Sequence, residues 1–377
     1  MNVDRTELEE ELANLFAQGV DAPLHDDAFN RLALEVFAHQ FAHNRPYAAY
    51  CQARRKNPET LVHWEQVPAL PTAAFKEADL TTVSAEEVSV TYLTSGTSRF
   101  GEVRGRHLLP DTHLYDASLE PNFKAHVLPD LDQIRMLIVG PSAEHAPQSS
   151  LGHMNSRVLE RWGAAGSGIF WNEAGPQFEA LVDMLTDATM HDEPVCLLGT
   201  AFGLLHLIDW LTERGLDFEL PFESRIMDTG GYKGRSREVP KGELYRHYGE
   251  RLAVPLTHVV NEYGMTELGS QFYDSSLREW LGTNEATHLL VHNRRKLPPP
   301  WVRVQVVDPE SLEPVTDGSP GLLRFYDLAN LHSVLAVQTD DLGIWRGGGF
   351  EILGRASGAE PRGCSLAVED FLGAQGG

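Results

Sequence analysis

Hydrophobic residues near the start of the chain follow helical spacing. Two apolar faces recur at intervals of three and four residues: Leu8, Leu12 and Leu15, then Phe29, Leu32, Val36 and Phe37. This spacing is typical of amphipathic helices that bury one face. We therefore predict that residues 1–90 form a helical N-terminal part packed on the core of the protein.

From residue 91 to residue 285, short apolar runs alternate with longer amphipathic stretches. The runs that predict strands are VSVTYL (88–93), IRMLIVG (134–140), VCLLGT (195–200), RIMDTGG (225–231) and LTHVVNEYG (256–264). Helices are predicted near 111–126, 177–188, 201–215 and 239–251. Such alternation indicates a mostly parallel sheet covered by helices.

Residues 286–377 have a different pattern, in which short β-type runs are separated by turn residues. The runs are HLLVH, WVRVQVVD, GLLRFYDL, VLAVQTDDLG and FEILGRA, and the proline cluster KLPPP (296–300) marks a boundary. The predicted fold class is therefore α/β, with mostly parallel helix-flanked sheets and a smaller β-rich subdomain. The domains we expect are 1–90, 91–285 and 286–377.

Composition and charge exclude several classes of partner. Asp and Glu outnumber Lys and Arg by 54 to 31, and the net charge of −23 disfavours binding to nucleic acid or anionic membranes. No apolar run approaches the roughly 20 residues of a membrane span, and the acidic N-terminus lacks the features of a signal peptide. The three cysteines, Cys51, Cys196 and Cys364, form no C-x-x-C pair. We expect a cytoplasmic protein with no nucleic-acid partner and no membrane span.

Three loops, at 94–106, 229–237 and 261–267, follow predicted strands, and ligands of parallel sheets bind beyond the carboxyl ends of strands. The first contains Thr94, Ser95, Gly96, Thr97 and Ser98. Small hydroxyl residues around a glycine suit a phosphate-binding loop, although a solvated turn has the same composition. The Walker pattern is absent.

The other two loops also admit two interpretations each. DTGGYKGR joins Gly230 and Gly231 to Lys233, a composition shared with ordinary tight turns. NEYGMTELGS places Tyr263 close to Thr266 and Glu267. A tyrosine ring can stack on a base and a glutamate can hold Mg²⁺ through oxygen. Alternatively, the tyrosine is simply buried and the threonine caps a helix, without any role in ligand binding.

Taken in order, these loops together with QTDDLG (338–343) and LGRASG (353–358) resemble the motifs of the adenylate-forming enzymes, which include acyl-CoA ligases, adenylation domains and luciferases. The resemblance implies ATP and Mg²⁺ as cofactors, and a fold like the large N-terminal domain of that superfamily. It implies that residues 94–98 bind the ATP phosphates and that the Gly230–Gly231 loop borders adenine. It also implies adenine stacking by Tyr263, phosphate and Mg²⁺ contacts by Thr266 and Glu267, and ribose binding by Asp341 and Arg355.

Further motifs resemble the LuxE family of acyl-protein synthetases over nearly the whole chain. They are TSGTS without the usual lysine continuation, SSLGHM (149–154), GGYKGR, RFYDLANLHSV (324–334) and RGCSL (362–366). In that family a fatty acid is activated as acyl-AMP, passed to a cysteine near the C-terminus and delivered to a reductase. The resemblance implies that this cysteine is Cys364, and that the partners are ATP, a carboxylic (fatty) acid and an acyl-accepting reductase or carrier protein. The segment between Arg355 and Cys364 would reach about 30 Å if extended.

The sequence departs from the superfamily at its expected catalytic lysine. Arg99, Arg104 and Arg106 follow TSGTS where a lysine is usual, and any of them is a candidate to face phosphate. The chain also ends soon after Arg355, so we expect the separate C-terminal domain with its lysine to be absent, as in the LuxE family. Lys233 is then the first candidate for the catalytic cation.

Two other functions stay open on sequence alone. A ligase for a small or aryl acid that delivers to a carrier protein or CoA would use the same motifs. The other alternative is a non-catalytic nucleotide- or acyl-binding subunit, which the intact Thr266, Glu267 and Asp341 disfavour. LLGTAFGLLHLIDWL (197–211) is compatible with an apolar acyl tunnel or with a core helix.

Overall fold

The structure is a computed structural model that describes residues 4–94, 103–230, 239–282, 294–356 and 362–375, with the main chain alone for 362–368. The chain divides into two compact units. The first comprises Met1–Asn122, Met265–Gln271 and Leu297–Gly377, and the second comprises Phe123–Gly264 and Phe272–Lys296. Each unit joins stretches that are distant in sequence, and the three consecutive domains stay a prediction.

Helices and strands alternate through the middle of the chain, as the pattern predicts. The helices are α1 (Arg5–Ala17), α2 (Asp26–His43), α3 (Arg45–Ala53), α4 (Ala74–Glu77), α5 (His113–Val127), α6 (Ser150–Trp162), α7 (Phe178–His191), α8 (Ala201–Arg214), α9 (Lys241–Leu252), α10 (Ser276–Gly282) and α11 (Arg362–Gln375). The strands are β1 (Leu70–Pro71), β2 (Val90–Leu93), β3 (Arg106–Leu109), β4 (Arg135–Val139), β5 (Gly168–Ile169), β6 (Trp171–Asn172), β7 (Gly175–Pro176), β8 (Val195–Thr200), β9 (Arg225–Thr229), β10 (Val259–Tyr263), β11 (Phe272–Asp274), β12 (Lys296–Leu297), β13 (Val302–Val307), β14 (Pro320–Asp327), β15 (Ala336–Arg346) and β16 (Gly349–Arg355). None of the helices in the described ranges is long and apolar enough to cross a membrane.

The second unit contains the predicted parallel sheet. Its strand order is β5-β4-β8-β9-β10-β11, and every pair is parallel except β10 with β11. Residues of α7, α8 and α9 pack with the strands into one apolar core that includes Leu185, Leu204 and Leu244. Central strands of such sheets are apolar on both faces, which is why β8 and β9 are continuous buried runs.

Local sequence signals set the start and end of α8, the helix that follows β8. Thr200 is its N-cap, and the Oγ1 atom accepts a hydrogen bond from the Gly203 amide at 3.0 Å. Gly215 ends the helix with φ of 63°, a conformation that costs glycine little. Removing such a threonine cap costs about 1 kcal/mol of stability.

The first unit contains the β-rich part. The strands β13, β14, β15 and β16 form an antiparallel series in that order, and β1 lies parallel to β15. The predicted N-terminal helices correspond to α1, α2 and α3. Leu12, Phe29 and Val36 are fully buried, but Leu15 is only partly buried, and Phe16 takes the buried position predicted for it. The α/β fold class with a smaller β-rich part is confirmed.

Two of the elements that were not predicted bear on the candidate site or carry a clear sequence signal. The structure has β3 antiparallel to β2, so the TSGTS loop connects a hairpin and does not follow a strand of the parallel sheet. Four residues are too few to give a periodic signal. The other element is α6, where a loop was expected. Ser149 caps this helix, and Met154, Val158 and Trp162 recur at four-residue spacing on its buried face, so its signal was present in the sequence.

Candidate functional site

The first candidate loop begins at Thr94, directly after β2, and β3 pairs with β2 as an antiparallel strand. Thr94 extends the pairing, because its amide donates to Gly105 O at 2.9 Å and its Oγ1 accepts from the Gly105 amide at 3.0 Å. A Cβ atom at Gly105 would lie 2.8 Å from Thr94 Cγ2, so only glycine fits there. The predicted phosphate-binding residues Ser95, Gly96, Thr97 and Ser98 lie outside the described residues, and Thr94 is the part of the motif that the structure places.

Two of the three arginines after this loop make intramolecular contacts. Arg104 Nε donates to Thr94 O at 2.7 Å, and Arg104 Nη2 donates to Leu93 O at 3.3 Å. Arg106 forms an ion pair of 2.9 Å with Asp79, and both side chains are exposed. Arg104 therefore stabilises the base of the hairpin in the structure. Arg99 lies outside the described residues.

Thr266 adjoins the base of the same hairpin. Its Oγ1 donates to Leu93 O at 3.4 Å, across 173 residues of sequence. Its carbonyl bonds to His107 Nδ1 at 2.6 Å, and because a carbonyl only accepts, Nδ1 carries the proton. Burial lowers the pKa of His107 to about 4, so the ring is neutral near pH 7. Two motifs predicted to contact the ATP phosphates thus meet within the first unit.

Glu267, the predicted Mg²⁺ ligand, follows Thr266 directly and is 8% exposed. Its carbonyl accepts a hydrogen bond from Asn330 Nδ2 at 2.9 Å. Among the residues that the structure describes, no group of three or more His, Cys, Asp or Glu is arranged to hold a metal. Nucleotide enzymes commonly bind Mg²⁺ with one or two carboxylates, the substrate phosphates and water. A single carboxylate at Glu267 fits that mode of binding.

The predicted ribose-binding residues Asp341 and Arg355 are neighbours on adjacent strands. They are directly opposite each other in the β15–β16 register. Arg355 Nε donates to Asp341 Oδ1 at 3.3 Å, and the arginine side chain is 80% exposed against 13% for the aspartate. The Asp341 amide donates to Thr339 Oγ1 at 3.1 Å, which fixes the main chain there. A largely buried carboxylate beside an exposed cation suits the hydroxyls of a sugar.

The remaining predicted residues of the nucleotide site belong to the second unit. Gly230 follows β9 with φ of 68°, and Tyr263 ends β10 with its ring 6.1 Å from that of Phe272. Because β9 and β10 are parallel, both residues lie at the carboxyl edge of the sheet, as expected for ligand-binding loops. Gly231 and Lys233 lie outside the described residues.

Beneath these loops lies a buried polar network that the sequence did not predict. Asn261 Nδ2 donates to Asp228 Oδ1 at 2.7 Å. The Asn261 Oδ1 atom accepts from Lys296 Nζ at 2.7 Å and from Lys241 Nζ at 2.8 Å. Lys296 Nζ also donates to Asp274 Oδ1 at 2.7 Å. In the sequence, Asp228 and Asn261 were visible only as polar residues within apolar runs, and such a residue does not identify its partner.

Burial dominates the electrostatics of this network. It lowers the pKa of Lys296 to about 8 and raises the pKa of Asp228. Burial also opposes the ionisation of Asp274, but Lys296 and Arg294 together hold its pKa below the usual range. Through the hydrogen bonds of Asn261, which stands two residues before Tyr263, the network fixes the position of the end of β10.

A second buried contact joins the ends of β9 and β10. Thr229 Oγ1 donates to Glu262 Oε2, and the two residues are opposite each other in the parallel register. Glu262 is 4% exposed, and burial raises its pKa to about 7. Because Thr229 precedes Gly230 and Glu262 precedes Tyr263, this contact ties together the starting points of two candidate loops.

Cys364 is the third residue of α11, a helix that is anchored to the first unit at its far end. Arg54 pairs with Asp370 at 2.7 Å, and the Gln375 side chain donates to Pro46 O at 2.9 Å. Phe371 is fully buried. The reach expected for the segment between Arg355 and Cys364 stays a prediction, because residues 357–361 lie outside the described residues, whereas Arg362–Gln375 form a helix.

The other two cysteines have a packing role. Cys51 and Cys196 are fully buried, and burial raises the pKa of each thiol to about 12. The run 197–211 is likewise a core helix following a strand, since Leu204 and Ile208 belong to the apolar core. A Cβ atom at Gly199 would lie 3.0 Å from Val139 O, so that glycine serves close packing.

Comparison with known proteins gives consistent relationships. The family model described as "Acyl-protein synthetase, LuxE" matches residues 20–373. A long-chain-fatty-acid–luciferin-component ligase of Aliivibrio fischeri is 23% identical over 358 residues, which cover 91% of this chain and 88% of the relative. A ligase of the same description from Vibrio harveyi is 22% identical over 357 residues, with 92% and 88% covered. The crystal structure of 2-hydroxyisobutyryl-CoA ligase with 2-HIB-AMP has a TM-score of 0.64 at 16% identity, covering 88% of this chain and 67% of that one, and it shares the fold.

Proposed function

We propose that this chain, which belongs to the LuxE family of acyl-protein synthetases, activates a fatty acid with ATP and then carries the acyl group on its own Cys364. The family is one of ligases, and the two curated relatives are described as acting on long-chain fatty acids. The adenylate-forming fold supports activation through an acyl-AMP. The order of the motifs along the chain supports the same chemistry.

The first half-reaction makes a carboxylate reactive. One carboxylate oxygen attacks the α-phosphorus of ATP, the bond from that phosphorus to the bridging oxygen breaks, and pyrophosphate leaves with the electron pair. Thr94 would donate a hydrogen bond to phosphate oxygens, where charge develops in the transition state, and Thr266 would do so once its hydroxyl exchanges the 3.4 Å bond to Leu93 O for phosphate. Glu267 would hold Mg²⁺, which neutralises charge on the phosphates when bound. Asp341 and Arg355 would orient the ribose.

The second half-reaction makes a thioester. The Cys364 thiolate attacks the acyl carbon, and the bond from that carbon to the AMP oxygen breaks, releasing AMP. Cys364 lies in the first turn of α11, where unpaired helix amides carry partial positive charge that favours a thiolate. The thioester would then deliver the acyl group to a reductase or a carrier protein.

One observation carries the adenylation proposal. The Thr266 hydroxyl bonds to Leu93 O, the residue directly before Thr94, within one compact unit. Two motifs far apart in sequence, both predicted to bind phosphate, are thus neighbours at the base of one hairpin, which supports a shared phosphate-binding site.

The test of this proposal is acid-dependent exchange between ATP and labelled pyrophosphate. We expect exchange with Mg²⁺ and fatty acids of some chain length, and none without acid. A panel that spans short, long and aromatic acids separates the fatty-acid ligase from the aryl-acid ligase. Absence of exchange with every acid on the panel would remove the enzymatic proposal.

A further inference from the structure

Residues 265–271, which contain Thr266 and Glu267, have an irregular main chain that is held by side chains from other elements. The Thr266 carbonyl bonds to His107, and the Glu267 carbonyl bonds to Asn330. Further along, Asn122 Nδ2 donates to Gln271 O at 2.7 Å. All of these residues belong to the first unit. An irregular segment fixed in this way at several points has little freedom to rearrange.

Asp327 supplies the densest set of contacts to this segment. Its Oδ2 accepts from the amides of Gly269 and Ser270 at 3.1 and 2.9 Å. Its Oδ1 accepts from Ser270 Oγ at 2.8 Å and from the Ala329 amide at 3.0 Å. Asp327 is fully buried, so its carboxylate exchanges hydrogen bonds with water for these four.

The segment also packs tightly on the turn that contains Asp327 and Asn330. A Cβ atom at Gly269 would lie 2.8 Å from Ala329 Cβ and 2.9 Å from Ala329 O, so any larger residue would separate the two stretches. Asn330 Nδ2 donates to Glu267 O at 2.9 Å and to Val334 O at 3.2 Å. The four residues Asp327–Asn330, DLAN in sequence, thus contact 265–271 through hydrogen bonds and through close packing.

The N-terminal helices support the DLAN turn from behind. Gln40 of α2 donates to Asn330 O at 2.8 Å and accepts from the Leu335 amide at 2.8 Å. Asn44 donates to Ser333 O at 3.1 Å. Contacts therefore run from α2 through the DLAN turn to the main chain of Glu267.

We propose that Asp327 and Asn330, together with His107, are positioning residues that fix Thr266 and Glu267 for adenylate formation. The inference rests on the proposed function, since it gives the RFYDLANLHSV motif a role in the same reaction. None of the three side chains needs to touch ATP. Each acts through the main chain of 266–270, as residues beyond the direct metal ligands do in other enzymes.

The experiment compares Asn330→Ala, His107→Leu and His107→Asn with the control Tyr47→Phe. Tyr47 is buried in the same unit and donates to Pro68 O at 2.8 Å, so its variant loses one buried hydrogen bond away from 265–271. Asparagine at 107 can keep a donor near the position of Nδ1. We would measure hydrogen exchange of the 264–272 peptide in the ligand-free protein, and pyrophosphate exchange against Mg²⁺ concentration.

We expect Asn330→Ala and His107→Leu to accelerate hydrogen exchange in 264–272 and to lower pyrophosphate exchange about 10- to 100-fold, with a higher Mg²⁺ requirement. His107→Asn should recover much of the loss, and Tyr47→Phe should lower only the melting temperature.

If Asn330→Ala and His107→Leu both fold and keep wild-type rates and Mg²⁺ dependence, the positioning role is wrong and the proposed function stands. If wild-type protein shows no exchange with any acid, the proposed function fails and this inference with it. Should Asn330→Ala not fold, the two His107 variants decide the matter.

Discussion

At the scale of single residues, the Asp341–Arg355 pair combines a largely buried carboxylate with a largely exposed cation. We predict that Asp341→Ala raises the ATP concentration needed for half-maximal exchange about tenfold or more, since a hydrogen bond to a charged group is worth about 1.5–3 kcal/mol. The maximal rate should change less. The matched control is Asp340→Ala, which removes the neighbouring carboxylate. Equal effects of the two variants would argue against ribose binding by Asp341.

Glu262 gives a prediction for stability against pH. Its folded-state pKa of about 7 lies above the ordinary value of 4.5, so the folded protein binds the proton more tightly. The associated stability is fully present below pH 4.5 and is lost as pH rises through 7, by about 3 kcal/mol in total. Glu262→Gln removes the titrating group and should lack this loss. Urea unfolding of the wild-type protein and the variant at pH 5 and pH 8 measures this loss. If the free energy of unfolding changes equally with pH in both proteins, Glu262 is not the group responsible.

At the scale of elements, the buried network fastens β10 to β9 and β11. Lys296→Met should lower the free energy of unfolding by about 3–5 kcal/mol, because it leaves Asp274 with one fewer cation in a buried site. Adding Asp274→Asn should recover part of that loss. Urea unfolding of the single and double variants gives the coupling energy, for which we expect about 0.5–3 kcal/mol. Strict additivity would contradict a direct contact between the two charges.

The elements that the sequence predicted are those with long or continuous apolar patterns. The buried run of β8 and the amphipathic face of α8 specify their structure locally. The hairpin partner β3 could not be predicted in the same way, because its four residues pair with β2 only once the chain has turned back. This pairing places Thr94 at the base of a hairpin, where its proposed role is to contact phosphate.

Some residues of the candidate site could be predicted from the sequence and others could not. Motif residues such as Thr266 and Asp341 could be named from the sequence because their order resembles that of a known superfamily. Asn330 lay inside the RFYDLANLHSV motif but had no predicted role. Lys296 was noted only as the first residue of the KLPPP boundary. Their importance depends on partners distant in sequence, Glu267 and Asn261, and a polar letter in an apolar context does not specify such a partner.

At the scale of the whole molecule, the chain is strongly acidic, and its proposed substrates, ATP and a carboxylate, are also anions. Groups in the site must therefore offset the repulsion between these anions and the negatively charged protein. The threonine hydroxyls proposed to contact phosphate would do so, and so would the positive charge of Arg355 beside the ribose. The helix that contains Cys364 is anchored to α3 through Arg54 and Asp370. The proposed acyl transfer would therefore use a cysteine on a helix that contacts the first unit.

We propose that this chain forms an acyl-AMP and then an acyl thioester on Cys364. The most direct measurement is covalent labelling by radioactive fatty acid with ATP and Mg²⁺, made in parallel with pyrophosphate exchange. In Cys364→Ser we predict that exchange persists and hydroxylamine-sensitive label disappears, because a serine hydroxyl is a poor nucleophile without a base. Cys51→Ser and Cys196→Ser should keep the label. Label that survives in Cys364→Ser, or that appears only on added CoA, would show that Cys364 does not carry the acyl group.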